Sequence, residues 1–204
     1  LPIYNIIFLK SKKVIFQNNM DKKIIFPLLN RFIKSQIIYP TVKFKKKVGL
    51  KKTKKTIIFL MHSRMIKQKG VLEYIKAAQN IKIKYKDKCI FYLIGDPDKN
   101  NPSSISKKFL NSLKFNKNQK INYIFYKKNI FSYIKKSDVI VLPSYGEGMP
   151  ASLLEALFLK KAIITTNVNG CSELVKNNYN GFLVEPQNVS QIQNAFITIL
   201  KNPN

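Results

Sequence analysis

The chain has 204 residues, with 37 Lys and Arg against 10 Asp and Glu, a formal net charge of +27 at pH 7. Such a surplus ordinarily points to nucleic acid or an anionic membrane, but Arg31 and Arg64 are the only arginines, and proteins that read nucleic acid lean on the guanidinium fork, so specific nucleic-acid recognition is set aside. The lysines, accompanied throughout by Ile and Asn, read as a compositional bias of surface positions that still attracts anionic lipid headgroups, while no apolar run approaches the roughly 20 residues of a spanning helix.

The length allows one good domain, or one domain with part of another. The first residue is Leu1, in mid-pattern. Cys89 and Cys171 stand apart from each other and from any Cys/His cluster, which fits two free thiols in a reducing cytoplasm. From Asn5 to Phe16 an apolar stretch breaks at lysines and resumes at Val14-Ile15-Phe16. Asp21 is a candidate cap for a helix reaching Ile33, with Ile24, Ile25, Leu28, Leu29, Phe32 and Ile33 on one side, and Pro27 breaks or shortens it. Thr41 to Thr56 is dense in lysine and reads as a solvated linker. It divides the chain into residues 1–40, a basic linker over 41–55 and a domain over 56–204.

That domain starts with a strand, Ile57 to Met61, whose carboxyl end delivers His62, Ser63 and Arg64. A loop ending at Lys69-Gly70 leads into a helix from Val71 to about Ile81, with Leu72, Ile75 and Ala78 expected inward. Arg64 offers a planar fork and Lys69 a second point charge, a pairing suited to phosphate or to a plain basic loop. His62, the single histidine, reads as a packing residue at a strand end rather than as an acid or base. A second strand, Ile90 to Ile94, ends at Gly95, which permits close backbone approach to a ligand. Asp96-Pro97-Asp98 follows; its proline and loop setting favour a turn over a metal site, and no metal is expected. A helix over Lys107 to Leu113, a strand over Ile121 to Tyr126 and a short helix over Asn129 to Lys136 complete the approach to the central stretch.

Val139-Ile140-Val141-Leu142, continuous, largely β-branched and ended by Pro143, predicts a strand buried on both faces of a parallel sheet. Ser144, Gly146 and Gly148 then turn the chain, Pro150 is placed at the first helical position, and a helix runs from Ala151 to Lys160. Its first-turn amides and dipole face the carboxyl edge of the sheet and welcome an anion. Glu147 in the loop and Glu155 in the helix, seven residues between them, straddle that terminus. A carboxylate there accepts hydrogen bonds from sugar or ribose hydroxyls; equally, Glu147 serves as an electrostatic cap and Glu155 as a solvated charge. Further on, Ala162 to Thr166 is a strand and Ser172 to Lys176 a short helix. Asn180-Gly181 turns into the strand Phe182 to Val184, and Ser190 caps a helix to Lys201. Glu173 and Glu185 read as a helix first-turn charge and a strand-end charge. The alternation predicts an α/β, doubly wound parallel sheet of Rossmann-like type.

The run EGMPASLLEA, preceded by VLPSY, closely resembles the E-x7-E signature of retaining GT-B glycosyltransferases of family 4, in the subgroup that builds bacterial capsule, O-antigen and related surface glycans. R-x4-K-G at Arg64 to Gly70 is similar to that family's donor diphosphate clamp, and GDPDKNNPSSIS is similar to the same subgroup. KVIFQNNMDKKIIF looks like the end of the family's N-terminal acceptor domain. The resemblance implies that residues 56–204 form the nucleotide-sugar donor-binding half of a GT-B fold and residues 1–40 a remnant of the other half. Glu147 would contact the donor sugar, Glu155 the ribose, and Gly148, Met149 and Pro150 the diphosphate, with Arg64, Lys69 and Gly95 beside it. Arg64, Lys69 and Glu147 would carry the catalysis, without cofactor or metal, on a donor expected to be a UDP-sugar. The base would lie near Phe125 to Lys128. The acceptor would be a glycan or lipid-linked glycan, the enzyme cytoplasmic or peripheral on the inner membrane face, and the chain alone a binder of donor with little turnover. Two alternatives remain open: another GT-B enzyme resembling sucrose or glycogen synthases, and a basic scaffold for anionic membrane or nucleic acid without catalysis.

Overall fold

The computed structural model describes residues 8, 11–29, 32–42, 56–115, 121–126 and 129–202. Most of the predicted linker, the start of the Asn5 to Phe16 pattern and Lys127-Lys128 of the expected base position lie outside the described residues. Strands β3 (Ile57–His62), β4 (Cys89–Ile94), β5 (Ile121–Ile124), β6 (Val139–Leu142), β7 (Ala162–Thr166) and β8 (Gly181–Val184) form one sheet in the order β5-β4-β3-β6-β7-β8. Every pairing in it is parallel. The doubly wound α/β sheet is therefore as the alternation of elements predicts. Its strand order reverses between β3 and β6, the topological switch point, outside whose strand carboxyl ends open α/β sheets form their binding crevice.

Continuous apolar runs form the central strands because helices cover both faces, whereas the edge strand β5 alternates, with Asn122 exposed. All four residues of β6 are buried, and Phe59, Leu60 and Met61 of β3 are sealed from solvent. Helices α2 (Val71–Tyr85), α3 (Lys107–Phe115), α4 (Ile130–Lys136), α5 (Ala151–Phe158) and α6 (Val189–Lys201) provide the cover. Phe59 and Phe91 stack at 5.0 Å between ring centroids, and Phe196 of α6 tilts against them at 4.7 and 5.1 Å. The fully buried Tyr74 donates its hydroxyl to Tyr92 O at 2.9 Å, so its polar end is partnered inside the core.

On α2 the buried residues are Val71, Tyr74, Ile75, Ala77, Ala78 and Ile81, while Leu72 is exposed. The stripe is rotated from the expected one because Tyr74 and Ala77, not Leu72, face the sheet and α6. The expected helix at Ser172 to Lys176 is instead a series of turns, and α6 is capped by Asn188, whose side chain accepts from Gln191 N, rather than by Ser190.

A second, two-stranded parallel sheet pairs β1 (Lys13–Phe16) with β2 (Lys34–Ile37). Between them lie α1 (Asn19–Ile25) and a 3-10 turn, Phe26–Leu28, in which Pro27 ends the α-helix as predicted. Asn18, not Asp21, is the cap: its Oδ1 accepts from Asp21 N at 2.7 Å. Val14, Phe16, Leu29 and Ile33 form a small core of their own.

Candidate active site

The loops leaving β3 and β6 meet at the switch point, and main-chain carbonyls tie them together. Gln68 O accepts from Tyr145 N at 2.8 Å and from Ser144 Oγ at 3.1 Å. Thr166 Oγ1 donates to Ser144 O, and Tyr145 donates its hydroxyl to Glu73 on α2 at 2.7 Å. Desolvation and the Glu73 carboxylate together push the Tyr145 phenol well above its usual pKa. These bonds fix the path of the Gly146 to Pro150 turn before any ligand arrives.

Within that frame Lys69 Nζ reaches Glu147 Oε1 at 2.5 Å, with both side chains largely buried. The two residues come from loops 78 positions apart. Arg64, predicted beside Lys69, is 61% exposed and pairs with Asp98 at 2.8 Å. Asp98 also accepts from Asn100 N, and Asp96 accepts from Tyr126 N at 3.1 Å. The aspartates of the D-x-D triplet thus close a turn and neutralise Arg64, and among the described residues no group of three or more His, Cys, Asp or Glu is arranged for a metal.

Pro150 is the N-cap of α5 rather than its first helical residue, and no side chain caps that terminus. The helix therefore offers its first-turn amides and positive dipole end to an anion. Met149 is buried beneath the turn. Gly170, at φ +74°, brings a second loop against it: a Cβ there would lie 2.2 Å from Gly148 O and 2.6 Å from Glu147 O. Gly95, expected to admit a ligand close to the backbone, also has a packing reason to be glycine. A Cβ on it would lie 1.8 Å from Ser63 O, so glycine is needed there for the close packing of the loops after β3 and β4.

Glu155 lies on the second turn of α5, and burial raises its pKa above the ordinary carboxylate value. His62, read from sequence as a packing residue, is largely buried, and burial lowers its pKa to about 4. Its Nε2 lies 3.5 Å from Glu155 Oε2 and has no hydrogen-bond partner. Cys171 is buried close to the Glu147 and Lys69 charges, and desolvation pushes its thiol up to about 11. Cys89 and Cys171 are free thiols, both buried.

The crevice thus has a carboxylate–ammonium pair on one side, a helix terminus at its base and a half-buried carboxylate beside an imidazole. The description "Glycosyl transferases group 1" belongs to the family model that matches residues 42–204. The chain is a member of this family. Within it, the chain is 34% identical over 110 residues to the Campylobacter jejuni N,N'-diacetylbacillosaminyl-diphospho-undecaprenol alpha-1,3-N-acetylgalactosaminyltransferase, covering 54% of this chain and 27% of the relative. It is 36% identical over 96 residues to the Escherichia coli UDP-Gal:alpha-D-GlcNAc-diphosphoundecaprenol alpha-1,3-galactosyltransferase, covering 44% and 25%. The chain therefore spans about a quarter of the length of these curated relatives. The fold matches TarM of S. aureus with a TM-score of 0.79 at 19% identity, over 95% of this chain and 38% of that one. The GT-B glycosyltransferase architecture expected from the signature is thus the architecture present.

This group 1 glycosyltransferase chain also contains contacts that its motifs did not announce. Asn18 is sealed from solvent and donates through Nδ2 to Gly148 O at 2.6 Å, inside the signature turn. Glu173, expected as a first-turn charge on its own helix, instead accepts from Met20 N at 3.0 Å at the start of α1. Asp21 accepts from Asn169 Nδ2 at 3.0 Å. The Asn18-x-x-Asp21 spacing, a capping pattern, was the available sequence signal that a helix start lies here; its target on the signature turn had none.

Proposed function

We propose that this chain is the donor-binding half of a retaining glycosyltransferase that uses a nucleotide sugar, with UDP as the nucleotide, and delivers the sugar to a glycan on a lipid diphosphate carrier. The observation that carries this reading is the meeting, at one switch point, of the Lys69–Glu147 pair, the uncapped N-terminus of α5 and the Glu155 carboxylate. Hydroxyl pairs suit the carboxylates, and a diphosphate suits the helix terminus and the Lys69 ammonium. The names of the Campylobacter and Escherichia relatives, which specify diphospho-undecaprenol acceptors and in one case a UDP donor, support the substrate class.

On this reading Glu147 accepts hydrogen bonds from the sugar and presents its anomeric carbon. The bond from that carbon to the diphosphate oxygen breaks, and the electron pair leaves with the diphosphate. Lys69, Arg64 and the α5 amides stabilise the developing negative charge. The acceptor hydroxyl attacks from the face the leaving group departs and passes its proton to the departing diphosphate oxygen, so configuration is retained. Lys69 must turn part of its charge from Glu147 to phosphate, and Arg64 likewise from Asp98, so donor binding exchanges one set of ion pairs for another. This reading assigns no step to a metal; Asp96 is engaged by the Tyr126 amide.

Calorimetric titration with UDP and with GDP at low and high salt tests the reading. Saturable binding that prefers one base and weakens by about 1–3 kcal/mol in Glu155→Ala is the expected result. Binding that ignores the base and the substitution and disappears with salt would instead indicate a basic scaffold.

A further inference from the structure

His62 ends β3 and Glu155 stands on α5, so the two side chains reach the switch point from opposite sides of the crevice. The imidazole Nε2 lies 3.5 Å from Glu155 Oε2, is buried, and meets no hydrogen-bond partner. A buried polar atom left in that condition is costly, and the carboxylate oxygen is the acceptor within reach. We propose that His62 is a positioning residue for Glu155: its neutral Nε2–H hydrogen-bonds one carboxylate oxygen and holds the other edge of the carboxylate toward the ribose hydroxyl pair of the nucleotide.

This deepens the donor-site reading above and rests on it. The neutrality of His62 is part of the device. Burial lowers its pKa to about 4, so at neutral pH the ring has one N–H and no charge. An imidazolium would neutralise Glu155 and compete with the incoming hydroxyls for it. A neutral donor leaves the carboxylate its negative charge while fixing its orientation. Burial also raises the pKa of Glu155, so a donated hydrogen bond favours the ionised form that accepts from hydroxyls.

As His62 is the single histidine, the protein shows one imidazole in a long-range 15N–1H spectrum. The Nε2–H tautomer, neutral at pH 7 with UDP bound, is the expected result, and an Nδ1–H tautomer or an imidazolium overturns the proposal without any variant having to fold. The second arm compares affinity for UDP and 2′,3′-dideoxy-UDP, which lacks the hydroxyl pair. His62→Leu is expected to reduce the preference for UDP by roughly three- to tenfold, the range of one net hydrogen bond, while His62→Gln, with a neutral N–H donor, keeps most of it. Affinity for the dideoxy compound stays unchanged in both, which a merely structural loss would not allow. If His62→Leu keeps the full preference while Glu155→Ala loses it, the positioning role falls and the donor site stands. If Glu155→Ala keeps the preference too, both fall.

Discussion

Glu155 is a carboxylate whose burial costs stability at neutral pH. Its pKa is raised by burial, so ionisation opposes folding: the group favours the folded state below the unfolded carboxylate range, and that contribution disappears as pH rises through its folded pKa. Glu155→Gln should therefore raise the melting temperature of the ligand-free chain at pH 7, with the gain vanishing below about pH 4. His62 has the opposite slope. Its folded pKa, lowered to about 4 by burial, gives stability that is complete above the ordinary histidine value and lost as pH falls from about 6.5 toward 4. In His62→Gln this acid-side decline should flatten by up to about 3 kcal/mol, read from urea unfolding at pH 7 and pH 4.5. An unchanged profile in both variants would mean that neither group is as desolvated as the fold makes it.

At the scale of elements, the turn from Gly146 to Pro150 is positioned by three others. The loop after β3 holds it through Gln68, the Gly170 turn packs against its carbonyls, and α1 reaches it through Asn18. Asn18 both caps α1 and donates to Gly148 O, so Asn18→Ala removes a helix cap and leaves the Gly148 carbonyl without this donor. A loss of about 1–2 kcal/mol in stability is expected, together with weaker UDP binding, checked by urea unfolding and calorimetry. Unchanged UDP affinity would show that α1 stabilises the chain without ordering the turn.

The elements also explain what could be read in advance. The strands around Phe59, Phe91 and Val141 were legible because both faces of a parallel sheet are buried and their residues are uniformly apolar. The strand Lys34–Ile37 was not: it is four residues long, half exposed, and polar at three of its positions. The turns at Cys171 to Leu174 replaced a predicted helix because the chain there folds around Gly170 and sends Glu173 to α1. Within the site, the spacing of Glu147 and Glu155 was readable because one loop and one helix contain both. Pairings such as Lys69–Glu147, Arg64–Asp98 and His62–Glu155 depend on how strands far apart in sequence are laid side by side, and local pattern says nothing about that.

For the whole molecule, the strand order places every candidate site residue at one edge of one sheet, while the charge of +27 is spread over lysines along the entire chain. The two features predict separable behaviour. Among the described residues no helix is long and apolar enough to cross a membrane. Phosphatidylglycerol vesicles should bind the chain at low ionic strength and release it as salt is raised through about 0.3 M, equally in the native protein and in Glu155→Ala. Co-sedimentation reads this directly, and a vesicle affinity that fell with Glu155→Ala would tie the lipid surface to the crevice instead.

The central claim is that a nucleoside diphosphate sits between the loops leaving β3 and β6. A titration with UDP at near-physiological salt, followed through backbone amide shifts, tests it most directly. The prediction is saturable shifts concentrated at residues 62–70 and 147–155, including the first-turn amides of α5. Shifts scattered over the lysine surface, with no maximum at those two segments and lost on adding salt, would contradict it.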